Sequence, residues 1–395
     1  MHKLRSFSVA KLAKAFSRLS SKLKSTGGRP SAPLGSRILT NPDDIFKHNM
    51  WDHVQWTEED KENARQKAEE NSCIQIPIEE QGKFDTEACQ YWDKFYEMHQ
   101  DKFFKDRKWL FLEFPELLPS GAKSQATNWC LGDQPVSDPQ PAESSTDTET
   151  RHRQHNGPTH HHRNPDTSND QGRVCHGAAP EKHEAAVQTT TFPGQHASFR
   201  ILEVGCGVGN SVFPIVSSIK QTDAFLYCCD FSTCAIQLVK DHPDYDDSVC
   251  HAFVHDICEE MASFPFPPQS LDVILAVFVL SSIHPERLQG IVNRLSTYLK
   301  HGGIFLFRDY GRYDLSQLRF KKGRCLSENF YTRGDGTCVY FFTKEEVHDL
   351  FSNAGLEEIQ NLEDRRLKVN RGKKIAMHRV WMQSKYRKLY PPPPS

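Results

Sequence analysis

The sequence has no long hydrophobic run, no paired-cysteine motif and no acidic residue near its start. Among its 395 residues no apolar stretch reaches the 18 or so that a transmembrane helix needs, which excludes such a helix. The 12 cysteines form no C-x-x-C pair and show no zinc-ligand spacing, and no secretory signal precedes them. We interpret them as free, mostly buried thiols of a reducing compartment, and we predict no metal site.

Acidic residues are missing from residues 1–42, which hold nine lysines and arginines. Apolar side chains recur there at three- and four-residue spacing, as one face of a helix does: Val9, Leu12, Phe16, Leu19 and Leu23. This pattern is typical of a mitochondrial transit peptide, which we predict over residues 1–30, with the mitochondrial matrix as location and the cytoplasm as alternative. The competing interpretation is a basic arm that contacts RNA or a membrane surface.

Charge is unevenly distributed, although the formal net charge is only −2. Residues 1–42 carry +9, residues 43–299 carry −19 and residues 300–395 carry +8. Such asymmetry indicates a polyanionic partner. The predicted RNA-binding side chains are Lys105, Arg107, Arg319, Lys321, Lys322, Arg324, Arg365, Arg366, Arg371 and Lys373. Ordinary solvated surface is the alternative for these clusters.

Composition divides the rest of the chain into four segments. Residues 31–118 are predicted to form a helical N-terminal extension, with helices at about 57–71 and 84–100. Residues 119–196 are predicted to form a disordered linker, because they are polar, poor in aliphatics and without periodicity. Residues 197–388 form the main domain and residues 389–395 a proline-rich tail. The histidine run at 160–162 lies in the linker, where nothing would hold metal ligands rigid.

The main domain alternates between strand and helix patterns. Strands are predicted at 200–204, 224–230, 251–256, 271–280, 303–310, 357–364 and 377–385. Strands separated by helices predict an α/β fold with a seven-stranded, mostly parallel, doubly wound sheet.

A glycine-rich turn, E-V-G-C-G-V-G-N from Glu203 to Asn210, follows the first of these strands. Glycines there let the backbone approach a ligand closely. The dinucleotide pattern G-x-G-x-x-G needs its third glycine at 210, and no P-loop Lys-Ser/Thr follows, so both nucleotide motifs are absent. The spacing E-x-G-x-G-x-G resembles motif I of class I S-adenosylmethionine-dependent methyltransferases, with Gly205 and Gly207 as cofactor-binding glycines.

Two acids follow the motif at the ends of successive predicted strands. Asp230 stands 25 residues after Gly205, where a carboxylate can accept both ribose hydroxyls of an adenosyl group. Asp256, with Ile257 beside it, is expected to meet the adenine edge. Each acid alone fits a loop residue or a helix cap, but together with the glycine turn they favour a methyltransferase.

Longer strings carry a more specific resemblance. They include YWDKFYEMHQDKFFKDRKWLFLEFPEL at 91–117, FVLSSIHP at 278–285, FRDYGRYD at 307–314 and NFYTRGDGT at 329–337. Over about 31–118 and 192–388 the chain resembles the methyltransferase-like tRNA 3-methylcytidine methyltransferases, in the branch of methyltransferase-like proteins 2 and 8. The basic N-terminus and APLGSRILT at 32–40 are more similar to the mitochondrial member.

The resemblance implies methylation of N3 of cytidine 32 in the anticodon loop of particular tRNAs, with S-adenosylmethionine as cofactor and a helper such as a seryl-tRNA synthetase as a possible partner. It also implies that Trp92, Tyr96 and Val277 join Gly205, Asp230, Asp256 and Ile257 around the cofactor. The helical extension would then be a lid and tRNA-binding region. From spacing alone, an aromatic core stripe is an equal interpretation of Trp92 and Tyr96.

The chemistry indicates three catalytic candidates. N3 of cytosine carries an in-plane lone pair, so the enzyme must position the base rather than remove a proton. Because the product ring is cationic, we assign Asp309 to charge stabilisation, Arg308 to the base or a phosphate and Ser281 to the base. An internal ion pair is the alternative for Arg308 and Asp309, and a turn cap for His284. A protein or small-molecule methyltransferase, and a catalytically weak RNA-binding scaffold, are the competing functions.

Overall fold

The computed structural model describes residues 37–103, 105–107, 109–119 and 191–391. The predicted transit peptide at 1–30, residues 120–190 of the predicted linker with their histidine run, and residues 392–395 of the predicted tail lie outside these ranges. The described residues form two compact units. One comprises residues 37–54 and 366–377, and the other comprises residues 55–365 and 378–391.

The larger unit begins with three consecutive helices, α1 (Glu58–Ser72), α2 (Ile78–Thr86) and α3 (Ala88–His99). A capping box opens α1, because the Thr57 hydroxyl accepts from the Asp60 N–H at 3.1 Å and the Asp60 carboxylate from the Thr57 N–H at 3.0 Å. The sequence pattern predicts one helix over 84–100. The structure has two, since Glu87, at φ −102° and ψ 9°, leaves the helical conformation between them.

The main sheet of this unit confirms the predicted doubly wound α/β fold. Its strands are β2 (Phe199–Val204), β3 (Ala224–Asp230), β4 (Cys250–Val254), β5 (Leu271–Val277), β6 (Leu299–Tyr310), β10 (Leu356–Asn370) and β11 (Ile375–Lys388). Residues 366–370 of β10 and 375–377 of β11 belong to the smaller unit. Within the described residues they follow the order β10-β11-β6-β5-β2-β3-β4. The five strands from β2 to β6 are parallel to one another in the sheet, and β11 pairs antiparallel with β6. The remaining helices are α4 (Leu110–Glu113), α5 (Val212–Ile219), α6 (Thr233–Lys240), α7 (Leu288–Tyr298), α8 (Leu315–Leu318) and α9 (Lys344–Ser352).

A second, three-stranded antiparallel sheet consists of β7 (Cys325–Ser327), β8 (Phe330–Thr332) and β9 (Cys338–Tyr340). It is joined to the segment between α1 and α2, since the Ile76 N–H donates to the Cys325 carbonyl at 2.8 Å. Ile76 and Phe84 pack with Leu326 and Phe330 in one apolar cluster. Helix α2 and the small sheet are therefore packed together.

The main domain begins before residue 197, the boundary that composition suggested. Phe192 packs against the core, the Tyr227 hydroxyl donates to the Pro193 carbonyl, and the Arg200 side chain donates to the carbonyls of Gly194 and Gln195. The segment 191–196 has the composition of a linker, but its backbone carbonyls accept hydrogen bonds from side chains of β2 and β3.

The smaller unit contains the short strand β1 (Met50–Trp51) and the part of β10 that it pairs with, in the antiparallel register Met50↔Lys368 and Trp51↔Leu367. Trp51, Leu367 and Val369 form its buried core. The predicted helical extension over 31–118 therefore starts, within the described residues, with a 3₁₀ turn at Pro42–Asp44 and this strand rather than with an α-helix.

Candidate active site

A cavity of about 490 Å³ lies at the carboxyl ends of the parallel strands β2, β3, β4 and β5. Parallel strands bring their carboxyl ends to one edge, which is where doubly wound sheets bind ligands. Six of the predicted cofactor residues line this cavity: Trp92, Tyr96, Gly205, Asp230, Asp256 and Ile257.

Asp230 is the most buried acid of the cavity. Its carboxylate accepts from the N–H of Gly207 at 2.9 Å and from the N–H of Ser232 at 3.0 Å. Burial raises its pKa to about 6, while these two N–H donors act in the opposite direction. Asp230 thus ties the glycine turn to the start of α6 and keeps a carboxylate at the cavity wall.

The glycine turn leaves no room for side chains. Gly205 and Gly207 have φ values of +60° and +54°, the left-handed region that glycine tolerates best. A Cβ on Gly207 would lie 3.0 Å from the Tyr96 hydroxyl oxygen. Gly207 does not line the cavity, but its close contact with Tyr96 joins the turn to helix α3.

Helix α3 covers the cavity with aromatic side chains. The rings of Trp92 and Tyr96 are stacked, with centroids 5.7 Å apart. Asp93 fixes the helix, because its carboxylate accepts from the Ser232 hydroxyl at 2.5 Å and the Cys234 N–H at 3.4 Å. The aromatic stripe is therefore both a wall of the cavity and a packing surface.

Asp256 and Ile257 line the cavity beside a histidine that the sequence analysis did not single out. The Asp256 carboxylate accepts from the Cys258 N–H at 2.8 Å. His255 also lines the cavity, and burial lowers its pKa to about 4, so its imidazole is neutral at pH 7. The predicted cofactor residue Val277 is buried in the core and does not line the cavity. The adjacent Phe278 lines the cavity instead.

Arg308 does not reach the cavity, which corrects its assignment to the base or a phosphate. Its guanidinium pairs with Asp364 at 2.7 Å, donates to the Gln383 amide oxygen and lies 5.0 Å from the ring centroids of Trp109 and Trp381. The side chain is 4% exposed, so these partners take the place of solvent. Arg308 therefore belongs to a buried structural ion pair, with Asp364 rather than Asp309.

Asp309 and Ser281 lie together behind the cavity wall, which corrects their assignment to direct base contact. The Asp309 carboxylate accepts from the backbone N–H of Ser281 at 2.9 Å and of Tyr310 at 2.8 Å. Burial raises the pKa of Asp309 to about 6. The pair holds the loop after β5, whose next residues, Ser282, Ile283 and His284, line the cavity.

Arg107 is buried in the domain, which corrects its assignment to RNA. Its guanidinium donates to the Ser211 hydroxyl at 2.8 Å and lies 3.7 Å from the Glu203 carboxylate. Burial raises the pKa of Glu203 to about 7, and the charge of Arg107 opposes that rise. Arg107 therefore fixes the extension to the first strand of the glycine motif.

Replacing Arg107 with methionine should lower the free energy of unfolding by roughly 3 kcal/mol, because it leaves Glu203 buried without its counter-charge. Chemical denaturation measures this loss. The salt dependence of RNA binding should not change. Loss of an arginine that contacts a phosphate would instead reduce the slope of log K against log salt concentration by about one. A reduced slope with unchanged stability would contradict the buried role.

Arg366 is buried as well and lies 3.6 Å from Asp52 within the smaller unit, so it too is corrected from RNA binding to a structural ion pair. The remaining predicted RNA-binding side chains are more accessible. Arg365 is half-buried, with its guanidinium 5.3 Å from the ring centroid of Trp56. The exposed ones are Lys105, Arg319, Lys321, Lys322, Arg324, Arg371 and Lys373.

One exposed basic group lies beside the cavity-lining elements. We call residues 319–324 the basic loop, which contains Arg319, Lys321, Lys322 and Arg324. The Gly323 N–H in this loop donates to the Ile74 carbonyl at 3.1 Å, just before α2. The loop also leads directly into β7, whose Leu326 lines the cavity.

Two further features concern the described residues as a whole. None of their helices is both long and apolar enough to cross a membrane. Their histidine, cysteine and acidic side chains form no cluster of three or more that could hold a metal ion.

Comparison with known proteins gives a consistent set of relatives. A family model described as "Methyltransferase domain" matches residues 160–361. The chain is 50% identical to tRNA N(3)-cytidine methyltransferase METTL2 of Danio rerio over 364 residues, which cover 91% of this chain and 90% of that protein. It is 48% identical to METTL2B of Homo sapiens, over 89% of this chain and 92% of that one.

A relative with a mitochondrial name also matches. The human protein named tRNA N(3)-cytidine methyltransferase METTL8, mitochondrial, is 45% identical over 277 residues, which cover 66% of this chain and 91% of that protein. All three relatives carry the same description of reaction and substrate.

Proposed function

This chain belongs to the tRNA N(3)-cytidine methyltransferase family, and from that premise we propose that it methylates N3 of cytidine 32 in the anticodon loop of mitochondrial tRNAs. It is an S-adenosylmethionine-dependent methyltransferase with the class I fold. The observation that best supports the proposal is one cavity lined by the glycine turn, the strand-end acids Asp230 and Asp256, and the aromatic side chains of α3.

The lining residues fit S-adenosylmethionine in polarity and burial. In the proposed complex Asp230 accepts the ribose hydroxyls, Asp256 and Ile257 flank the adenine, and Trp92 and Tyr96 cover the cofactor. Gly205 and Gly207 keep the turn close enough for backbone contact. When bound, the cofactor supplies an electrophilic methyl group on sulfur.

The protein's own contribution is placement and exclusion of water. The N3 lone pair of cytosine attacks without losing a proton, so no general base is required and none is assigned. Correct alignment of donor and acceptor can account for several kcal/mol of the barrier, roughly 7 or more in favourable cases. In this proposal Asp309 and Ser281 act as positioning residues that hold the loop after β5, and Arg308 supports the sheet beneath.

For the RNA we propose contact by the exposed cationic side chains, above all the basic loop. The hydrogen bond from Gly323 to Ile74 supports this, because it keeps the loop next to α2, which lines the cavity. Lysines and arginines that neutralise phosphates release counterions, so such binding weakens steeply with salt. Residues 31–118 then serve as a combined cofactor lid and tRNA-binding region.

The double substitution K321E/K322E should weaken tRNA binding by at least about tenfold at physiological salt and reduce the salt slope by roughly two. K220E/K240E is a matched control on exposed lysines, since Lys220, like Lys322, also pairs with an acid. Fluorescence anisotropy over a salt series measures both variants. Equal losses in the two would mean that only net charge matters.

Nucleoside mass spectrometry tests the reaction and the target position. Unmodified mitochondrial and cytosolic tRNAs are incubated with the protein and S-adenosylmethionine. We expect new 3-methylcytidine that disappears when C32 is changed to U. Product only after addition of cell extract would indicate a helper such as a seryl-tRNA synthetase. Methyl transfer to protein or small molecules without RNA would instead favour the competing enzyme class.

We further propose that residues 1–30 direct the protein to the mitochondrial matrix, with the cytoplasm as the alternative. The acid-free basic composition and the relative with a mitochondrial name support this. Residues 1–42 fused to a fluorescent protein should reach mitochondria and be shortened there. A fusion that stays cytosolic and full-length would overturn the proposed location without affecting the proposed chemistry.

A further inference from the structure

The cavity has a second group of lining residues that cofactor binding does not use. This group consists of Gln81 of α2, His284 after β5, and Leu326 and Phe330 of the small sheet. Gln81 contacts Leu326, and His284 contacts Phe330. The Gln81 amide donates to the Leu326 carbonyl at 2.8 Å, and the rings of His284 and Phe330 meet edge to face with centroids 5.4 Å apart. An aromatic ring beside fixed polar groups is a typical setting for an unstacked base.

We propose that this group is the slot for the methyl-accepting base, and that Gln81 and His284 select cytosine by its N4 amino group and its O2 atom. The inference rests on the proposed function and names the residues that recognise its substrate. Gln81 accepts a hydrogen bond from N4–H, and His284 donates one to O2.

The orientation of the Gln81 amide follows from its partners. Its Nε2 donates to the carbonyl oxygens of Ile76 and Leu326, both at 2.8 Å. Carbonyl oxygens only accept, so the atom between them is the nitrogen, and both of its hydrogens are used. Among the described residues, Oε1 of Gln81 accepts no hydrogen bond and is not buried, so it remains an acceptor for a ligand in the cavity.

The tautomer of His284 follows in the same way. The backbone N–H of Glu286 donates to Nδ1 of His284 at 3.4 Å. An imidazole whose Nδ1 accepts a hydrogen bond carries a proton on Nε2, which is therefore a donor. The turn that begins at Pro285 fixes this arrangement, so the capping role and the ligand role are compatible in one side chain.

One acceptor and one donor match the edge of cytosine on which N3 lies. N4 donates, O2 accepts, and N3 between them stays unpaired, as methylation requires. Uracil presents an O4 acceptor to the Gln81 acceptor and a protonated N3 to the methyl group. A polar group that the bound ligand covers without pairing costs binding free energy, so the unpaired Gln81 acceptor and the protonated N3 each disfavour uracil.

The same contacts suit the chemical step. The N3 lone pair forms the new N–C bond while the S–C bond breaks and its electron pair stays on sulfur, giving a neutral thioether and a cationic base. Positive charge spreads to the N4 amino group, which makes it a stronger donor. The hydrogen bond to Gln81 therefore strengthens in the transition state, and its loss should appear in kcat.

The decisive experiment pairs a protein change with a substrate change. Anticodon stem-loop RNAs carry either cytidine or pyrimidin-2-one ribonucleoside at the target position; the second keeps N3 and O2 but lacks the amino group. Both are assayed with the native protein, Gln81→Met and the control Gln237→Met, an exposed glutamine of α6. Calorimetry with S-adenosylmethionine verifies that each variant binds cofactor.

We expect the preference of the native protein for cytidine, as a ratio of kcat/KM values, to fall at least about tenfold in Gln81→Met and to stay unchanged in Gln237→Met. A purely structural role for Gln81 would lower both rates together and leave the ratio intact, which overturns the proposal. If the native protein methylates no cytidine RNA, the proposed function itself fails, independently of Gln81.

A second arm covers the case in which Gln81→Met does not bind cofactor. His284→Ala is compared with the native protein on cytidine and 2-thiocytidine, whose sulfur is a poor hydrogen-bond acceptor. We expect the discrimination against sulfur to shrink about tenfold in the variant. If the variant discriminates against sulfur as strongly as the native protein, His284 does not contact O2 of the base, and the proposed slot is wrong.

Discussion

Asp230→Ala should abolish methyl transfer and weaken S-adenosylmethionine binding by roughly a hundredfold to a thousandfold, since two hydrogen bonds from ribose to a carboxylate are lost. Affinity for tRNA and the overall fold should persist, although the free energy of unfolding should fall by about 1–3 kcal/mol because the Gly207 and Ser232 N–H groups lose their acceptor. Calorimetry for the cofactor, anisotropy for tRNA and circular dichroism separate these effects. The exposed Asp244→Ala is the matched control and should behave like the native protein.

The ionisation of Asp230 adds a pH dependence to this result. Burial raises its pKa to about 6. In the proposed complex only the ionised carboxylate can accept hydrogen bonds from both ribose hydroxyls. Cofactor affinity should therefore be constant above about pH 7. Below about pH 6 it should fall about tenfold for each pH unit. Asp230→Asn should bind weakly at every pH. Retained activity in Asp230→Ala would rule out the ribose contact, and an equal pH response in Asp230→Asn would assign the titration to another group.

Gly205→Ala should lower the free energy of unfolding by roughly 2 kcal/mol or more and abolish cofactor binding. A Cβ at this position would lie 2.7 Å from Cβ of Val279, and the residue has φ +60°. Since Val279 and Gly205 both line the cavity, any shift that relieves this contact deforms the cofactor wall. Thermal unfolding with and without S-adenosylmethionine measures both losses.

The matched control for this substitution is Gly290→Ala in α7. That glycine is exposed, and nothing lies within 4 Å of the added carbon. Because alanine restricts the unfolded chain and favours a helix, the variant should be more stable by about 0.5–1 kcal/mol, with unchanged activity. If both glycine variants lost cofactor binding, the cause would be general destabilisation rather than the cavity wall.

Six of the predicted cofactor residues line one cavity, and most of them could be predicted because local sequence patterns mark them. The glycine turn and the acids at the ends of β3 and β4 lie next to buried strands, and parallel strands bring such ends together. Trp92 and Tyr96 needed the family resemblance, since helical spacing is the same for a core stripe and a lid. The boundary between α2 and α3 was missed because no glycine or proline marks it.

The misassigned arginines depend on contacts between distant parts of the chain. Arg107 bonds to Ser211 across 104 positions, and Arg308 pairs with Asp364 across 56. A run of basic residues does not reveal such partners, so a buried arginine and a phosphate ligand look alike in sequence. The sequence does not mark Gln81 for a related reason, because its proposed role depends on a carbonyl from β7.

The position of β11 in the sheet affects how the chain acquires its fold during synthesis. This strand lies between β10 and β6, and its pairing runs from Trp381↔Tyr310 to Arg387↔Ile304. Until the ribosome has released residues through about 388, β6 has an open edge of unpaired backbone N–H and C=O groups. The core cluster of Phe305 and Phe307 then also lacks Val380, Met382 and Tyr386. A nascent chain thus cannot complete its nucleoside-binding sheet, and a premature stop before Ile375 would leave an aggregation-prone edge for chaperones to cover.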